Sequence, residues 1–210
     1  MNRLMKILLG FLIVGAVVVG AYGWMQGREP AAGGVELIAV TGGSLVETAV
    51  AVGYFGSVYV TGDGGETWSQ GVTGTRTSLY SVSMGDAEHG WAVGQRGLIL
   101  RTQDGGRSWT RQLNIKEDEG THLFAVSAVD ANTAVAVGEW GTRIRTTDGG
   151  RTWQDQSFTI DVDHRMFVWL NPEEQEKVRS GQNVYDDVTL NDVYCLRDGA
   201  NCWLIGEFGY

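Results

Sequence analysis

The sequence predicts an all-β fold, a β-propeller of four-stranded antiparallel blades preceded by one N-terminal transmembrane helix. The first observation behind this is an eight-residue phrase that returns three times, as Thr61-Gly-Asp-Gly-Gly-Glu-Thr-Trp68, Thr102-Gln-Asp-Gly-Gly-Arg-Ser-Trp109 and Thr146-Thr-Asp-Gly-Gly-Arg-Thr-Trp153, at spacings of 41 and 44 residues. The second is the frame before each phrase: Ala51-Val-Gly-Tyr-Phe-Gly56, Ala92-Val-Gly-Gln-Arg-Gly97 and Ala136-Val-Gly-Glu-Trp-Gly141, with a fourth copy at Leu204-Ile-Gly-Glu-Phe-Gly209. The third is composition, with 31 glycines and 2 prolines in 210 residues of which 43% are hydrophobic. A period near 40 residues built of strand-like units is that of propeller blades, each a small sheet that needs neighbours to bury its faces. Rings close with about four to eight blades. Three units and part of a fourth are marginal for closure, and predict an incomplete ring from a sequence cut short of the whole protein.

Taken in order, residues 1–27 read as a membrane segment. Ile7 to Met25 is a run of 19 uncharged, mostly apolar residues, which at about 1.5 Å per residue nearly spans a hydrocarbon core of about 30 Å. Arg3 and Lys6 precede it, so the positive-inside rule keeps the N-terminus cytoplasmic and sends the rest across the membrane. The alternative is a cleaved signal peptide, with small residues at Val19-Gly-Ala21 and Ala21-Tyr-Gly23; a run longer than the usual apolar region of about 7–15 residues favours a retained anchor. Residues 28–34 form a linker, and 35–210 the propeller repeats with a helical insertion around 158–189.

Within the second repeat the pattern predicts strands at Leu79–Met84, Trp91–Gly94, Leu98–Thr102 and Ser108–Leu113. The third gives Leu123–Ala128, Thr133–Gly138, Thr142–Thr146 and Thr152–Gln156; the fourth gives Leu190–Cys195 and Cys202–Gly206. Apolar residues such as Leu79, Val82 and Met84, or Val135 and Val137, are read as alternating. In an antiparallel meander the turns alternate between faces. The Gly-x-x-Gly tips with Phe55, Arg96, Trp140 and Phe208 therefore share a face with the inter-blade loops and the insertion, and the Asp-Gly-Gly turns lie opposite.

Those Asp-Gly-Gly turns read as structural. Asp63, Asp104 and Asp148 are expected to accept N–H groups across the turn, Gly65, Gly106 and Gly150 with their glycine neighbours to permit positive φ, and Trp68, Trp109 and Trp153 to pack between adjacent strands. Three equivalent sites without a second acid or a histidine do not make a metal or catalytic centre. The net charge is -9; without Arg3 and Lys6, 14 basic side chains face 25 acidic ones, a charge of -11. Such a domain has no pull toward nucleic acid.

Cys195 and Cys202 fall at facing positions of one hairpin when the repeats are aligned, and outside the cytoplasm they are expected to form a disulfide. In the insertion, Asn171 followed by Pro172, Glu173 and Glu174 signals the start of a short helix. Asp161, Asp163 and His164 are read as solvated polar residues on two faces of a strand, not as metal ligands. The apolar run Met166–Leu170, together with Phe55, Arg96, Trp140 and Phe208, is a candidate partner-binding surface, since aromatics and Arg are typical anchors; packing of the turns by the same aromatics stands as the alternative.

Thr-x-Asp-Gly-Gly-x-Thr/Ser-Trp resembles the Asp-box, or bacterial neuraminidase repeat, which sialidases, other glycoside hydrolases and non-enzymatic propellers share. The longer frame from Trp91 to Trp109 resembles the repeat of the photosystem II stability and assembly factor family. That resemblance covers about residues 35–210 and implies a seven-bladed propeller in the thylakoid lumen or periplasm, with a non-enzymatic role in binding a membrane protein or assembly intermediate and no cofactor. The extra two dozen residues before Leu190 depart from it. A second function class is an Asp-box glycoside hydrolase, sialidase-like or a seven-bladed glucanase, in which Glu139 or Glu207 would be candidate acids; no Arg-Ile-Pro signature accompanies them.

Overall fold

The computed structural model describes residues 48–113, 116 and 119–207, and the backbone of 37–42. The segment read as a membrane anchor lies outside the described residues, as does Phe208. Among the described residues no helix is long and apolar enough to cross a membrane.

Among the described residues fourteen strands form three four-stranded antiparallel sheets and one hairpin. The first sheet holds β1 (Leu37–Gly42), β2 (Ala49–Gly53), β3 (Val58–Thr61) and β4 (Ser69–Gln70). The second holds β5 (Leu79–Met84), β6 (Gly90–Gly94), β7 (Ile99–Thr102) and β8 (Thr110–Gln112), and the third β9 (Leu123–Ala128), β10 (Ala134–Gly138), β11 (Arg143–Thr146) and β12 (Gln154–Asp155). In the fourth unit β13 (Leu190–Cys195) pairs with β14 (Cys202–Gly206). Each sheet keeps its strands in chain order.

The sheets stand side by side, with the first strands β1, β5, β9 and β13 adjacent. Those inner strands are stitched by hydroxyls. Ser81 Oγ accepts the Val126 N–H at 3.2 Å, Ser83 Oγ that of Ala128 at 3.0 Å, and Ser127 Oγ that of Cys195 at 2.9 Å. Edge amides that would otherwise be orphaned are thereby satisfied across the blade boundary.

The core divides into three clusters, one per blade boundary. Val50, Val52 and Val58 meet Leu79, Val82 and Trp109; Trp91, Val93 and Ile99 meet Leu123, Val126 and Trp153; Val135 and Val137 meet Leu190 and Val193. Trp109 and Trp153, 7% and 9% exposed, lie in the clusters that join their own blade to the preceding one, whereas Trp68 stays half-buried.

The apolar alternation needs correcting. Leu79 and Val82 are both buried although three residues apart, because the register shifts between Leu79 and Ser81. The same shift recurs in β1, β9 and β13, a bulge that turns one inner-strand residue per blade, Tyr80 or Phe124, toward the tip face. Just beyond it Gly94 and Gly138 close the second strand. A Cβ there would stand 2.0 Å from Ser78 O and 1.9 Å from His122 O, so only glycine admits the backbone.

Candidate functional site

The Asp-box turns are built alike. In the first, Thr61 Oγ1 donates to Asp63 Oδ1 at 2.7 Å and accepts the Gly65 N–H at 2.9 Å, while Thr67 donates its N–H to Oδ1 and its hydroxyl to Oδ2. Thr102, Asp104, Gly106 and Ser108 repeat the pattern, as do Thr146, Asp148, Gly150 and Thr152. The paired glycines have φ between 72° and 92°, a region closed to most side chains. Donors from Thr67 hold the Asp63 carboxyl down to about 2, and donors from Thr152 do the same for Asp148. Asp104 is also lowered: burial pushes it up, but the Ser108 donors outweigh that. Both oxygens of each carboxylate are thus engaged within their own turn.

This end of a blade also receives side chains from the blade before it. Arg101 on β7 reaches across to donate to Gly149 O and, at 3.0 Å, to Ala131 O; Gln112 Nε2 donates to Gly149 O at 2.9 Å. Arg145 donates to Gly199 O at 3.3 Å in the fourth unit. Trp109 Nε1 donates to Gly106 O at 2.8 Å, which fixes the ring over the boundary.

At the opposite ends of the blades the backbone does something unusual. Phe55, Arg96 and Trp140 adopt φ of 56°, 57° and 57°, a left-handed geometry that costs a side-chain-bearing residue roughly 1–2 kcal/mol. Phe55 is 70% exposed and Trp140 58%, and Arg96 is exposed as well. Each of these three tips therefore lifts one large side chain off the blade at an energetic cost. Around them lies a cluster the sequence did not flag. Tyr80 stacks on His122 at 6.2 Å and contacts Phe124 at 5.9 Å, and Glu139 Oε2 accepts the His122 N–H at 2.9 Å with His122 Nδ1 at 3.3 Å. Burial, with the charges of Tyr54 and Glu139, pushes the Tyr80 hydroxyl up. The inner-strand bulge brings Tyr80 and Phe124 here, a placement that depends on the register between strands and left no signal in the sequence.

The insertion is laced to the third tip. Gly141 N–H donates to Val188 O at 2.6 Å, Phe158 N–H to Gly141 O at 2.9 Å, and Ile160 N–H to Val184 O at 2.8 Å. Its helix α1 (Pro172–Arg179) starts with a capping box in which Asn171 and Glu174 exchange side-chain-to-backbone bonds. Asp161–Leu170 is not a strand but a turn followed by the 3-10 helix Phe167–Trp169. Asp161 Oδ1 accepts the Asp163 N–H there, and His164 Nε2 lies 3.5 Å from Asp186 Oδ2. No group of three potential metal ligands assembles among the described residues. Val168 and Trp169 project outward, 71% and 80% exposed.

Beneath the insertion Lys116 is 1% exposed, its ammonium 3.1 Å from both Glu119 and Asp155 and 4.3 Å from the Tyr185 ring centre. Burial alone would lower its pKa; the hydrogen bonds it donates to the two carboxylates outweigh that and raise it. Between this base, Trp140 and the insertion opens a cleft of about 620 Å³. Cys195 and Cys202, opposite each other on β13 and β14, are joined with an S–S distance of 2.04 Å. Among the described carboxyls, burial pushes up that of Asp192 on the inner strand β13.

Residues 73–166 match the family model described as photosynthesis system II assembly factor YCF48. A solved YCF48 from Cyanidioschyzon merolae is 26% identical, with a TM-score of 0.52 over 60% of this chain and 41% of that one. A structure described as YCF48 bound to D1 peptide is 29% identical over 52% of this chain and 37% of that one, with a TM-score of 0.47. An ancestral GH74 enzyme is 17% identical over 61% of this chain and 19% of that one, also at 0.47. No curated protein matches the sequence. The chain spans about two fifths of the length of the solved YCF48 structures it matches. The family match and the likeness to the C. merolae propeller identify the repeats of residues 73–166 as those of the photosystem II stability and assembly factor-like, Asp-box propeller family.

Proposed function

We propose that this chain is a non-enzymatic, protein-binding propeller that acts as an assembly or stability factor for a membrane protein complex. It is anchored by residues 1–27 on the extracytoplasmic side, in the periplasm or thylakoid lumen, and receives its client on the face that carries the Gly-x-x-Gly tips. One observation carries the reading: Phe55, Arg96 and Trp140 are exposed while held at positive φ. Backbone strain kept at a solvent-facing aromatic or arginine gives the fold nothing, and strain of this kind concentrates at ligand sites. The assembly-factor description of the matching family supports the client class. The Asp-box carboxylates, saturated by their own turns, are left with a structural role.

The test is affinity capture of a discrete membrane-protein client by the anchored protein. Capture is expected to weaken about tenfold with Trp140→Ala, and likewise with Phe208→Ala, as for loss of an interface anchor. It is expected to survive Asp104→Ala once circular dichroism shows that variant folded. Turnover of an activated glycoside, abolished by Glu139→Gln, would overturn the reading in favour of a hydrolase.

A further inference from the structure

We infer that the cleft between the insertion and the third-blade tip docks a cationic, apolar polypeptide segment, one that presents Lys or Arg among large apolar side chains. This rests on the protein-binding reading of the tip face and adds the chemistry of the segment bound. The apolar walls come from both sides, Trp140 from the blade and Met166, Trp169 and Leu170 from the insertion. Two indoles stand open to solvent there, at 58% and 80% exposure, and aromatic surface of that kind gains most by being covered.

The charge around the cleft decides what covers it. Among the described residues its lining carries Glu119, Glu174 and Asp187 against a single cation, Lys116, a net -2. Lys116 offers little to a visiting anion, since it is buried and already shared between Glu119 and Asp155. Glu119 and Asp187 are exposed, and the cap contact that Glu174 makes with the Asn171 N–H leaves its charge in place. A concave, partly apolar site lined by one sign of charge focuses potential on the opposite sign. A guanidinium or ammonium entering it finds indole faces for cation–π contact and carboxylates for charge-assisted hydrogen bonds. An acidic segment meets repulsion instead, which makes the preference directional.

The experiment is a titration of the full chain with two short blocked peptides. Both alternate Leu and Phe with charged residues, Arg and Lys in one and Glu in the other, and binding is read by calorimetry and tryptophan fluorescence. The cationic peptide is expected to bind, more weakly as salt rises, and the acidic one not to. Trp169→Ala and Asp187→Lys each weaken the cationic peptide by about tenfold or more, with circular dichroism unchanged because both side chains are exposed; Trp68→Ala leaves it unaltered. Equal binding of the acidic peptide, or indifference to both cleft substitutions, overturns the proposal. If the peptide binds but no membrane client is captured, the assembly reading falls and the cleft stands; the reverse removes the cleft alone.

Discussion

The two ends of each blade use the same loop ingredients, glycine and one large residue, in opposite ways. At the Asp-box end the positive φ angles fall on paired glycines, Trp109 and Trp153 are buried where their blade meets the preceding one, and every carboxylate oxygen finds a donor within the turn. At the tip end positive φ falls on Phe55, Arg96 and Trp140, whose side chains face water. Local chemistry is relaxed in the first and strained in the second. Strain persists only where the surrounding structure over-determines it, and here the flanking glycines and strand ends do so.

The sharpest way to break the comparison is at the Asp-box tryptophans. Trp109→Ala is expected to destabilise by roughly 3–5 kcal/mol, the cost of emptying a large buried aromatic site, whereas Trp68→Ala, half-buried, costs about 1 kcal/mol. Urea unfolding followed by circular dichroism measures both; equal losses would mean that the blade boundary is not what these rings stabilise.

A smaller effect of opposite sign is expected at the tips. Arg96→Gly should stabilise by about 0.5–1 kcal/mol, relief of the left-handed backbone less the added chain entropy of glycine, and should weaken client capture at the same time. A loss of stability on that substitution would show that the tip is not strained.

The mildest test is acid. Asp63 and Asp148 have folded values of about 2 against an ordinary 3.8, so their contribution is fully present above about pH 4 and fades as pH falls through about 2. The urea midpoint should decline over that window and decline less in Asp148→Asn. A midpoint flat from pH 5 to pH 2 would detach the carboxylates from stability.

Much of this architecture was legible in the sequence because it repeats. The inner strands Leu79–Met84 and Leu123–Ala128 and the hairpin Leu190–Cys195 with Cys202–Gly206 stand where the pattern puts them. The outer strands are shorter than expected, Thr110–Gln112 and Gln154–Asp155, since Ser108 and Thr152 are still engaged by the Asp-box carboxylates. The segment Asp161–Leu170 misled because an apolar run flanked by polar residues does not tell a strand from a 3-10 turn. Of the functional face, the tip residues were readable from the Gly-x-x-Gly frame, but Tyr80, His122 and Phe124 were not. They reach one another from β5, the approach to β9 and β9 itself, two neighbouring blades.

By itself the sequence determined the repeat, its strands and the chemistry of its turns, because each Asp-box closes through hydrogen bonds among residues no more than four apart. Tertiary structure alone decided that the tryptophans seal blade boundaries, that the inner bulge sends aromatics to the tip face, and that an insertion fastened to Gly141 walls a cleft beside Trp140. Those outcomes depend on which blade stands next to which, and adjacency between sheets is set by packing over long sequence separations, which no local pattern encodes.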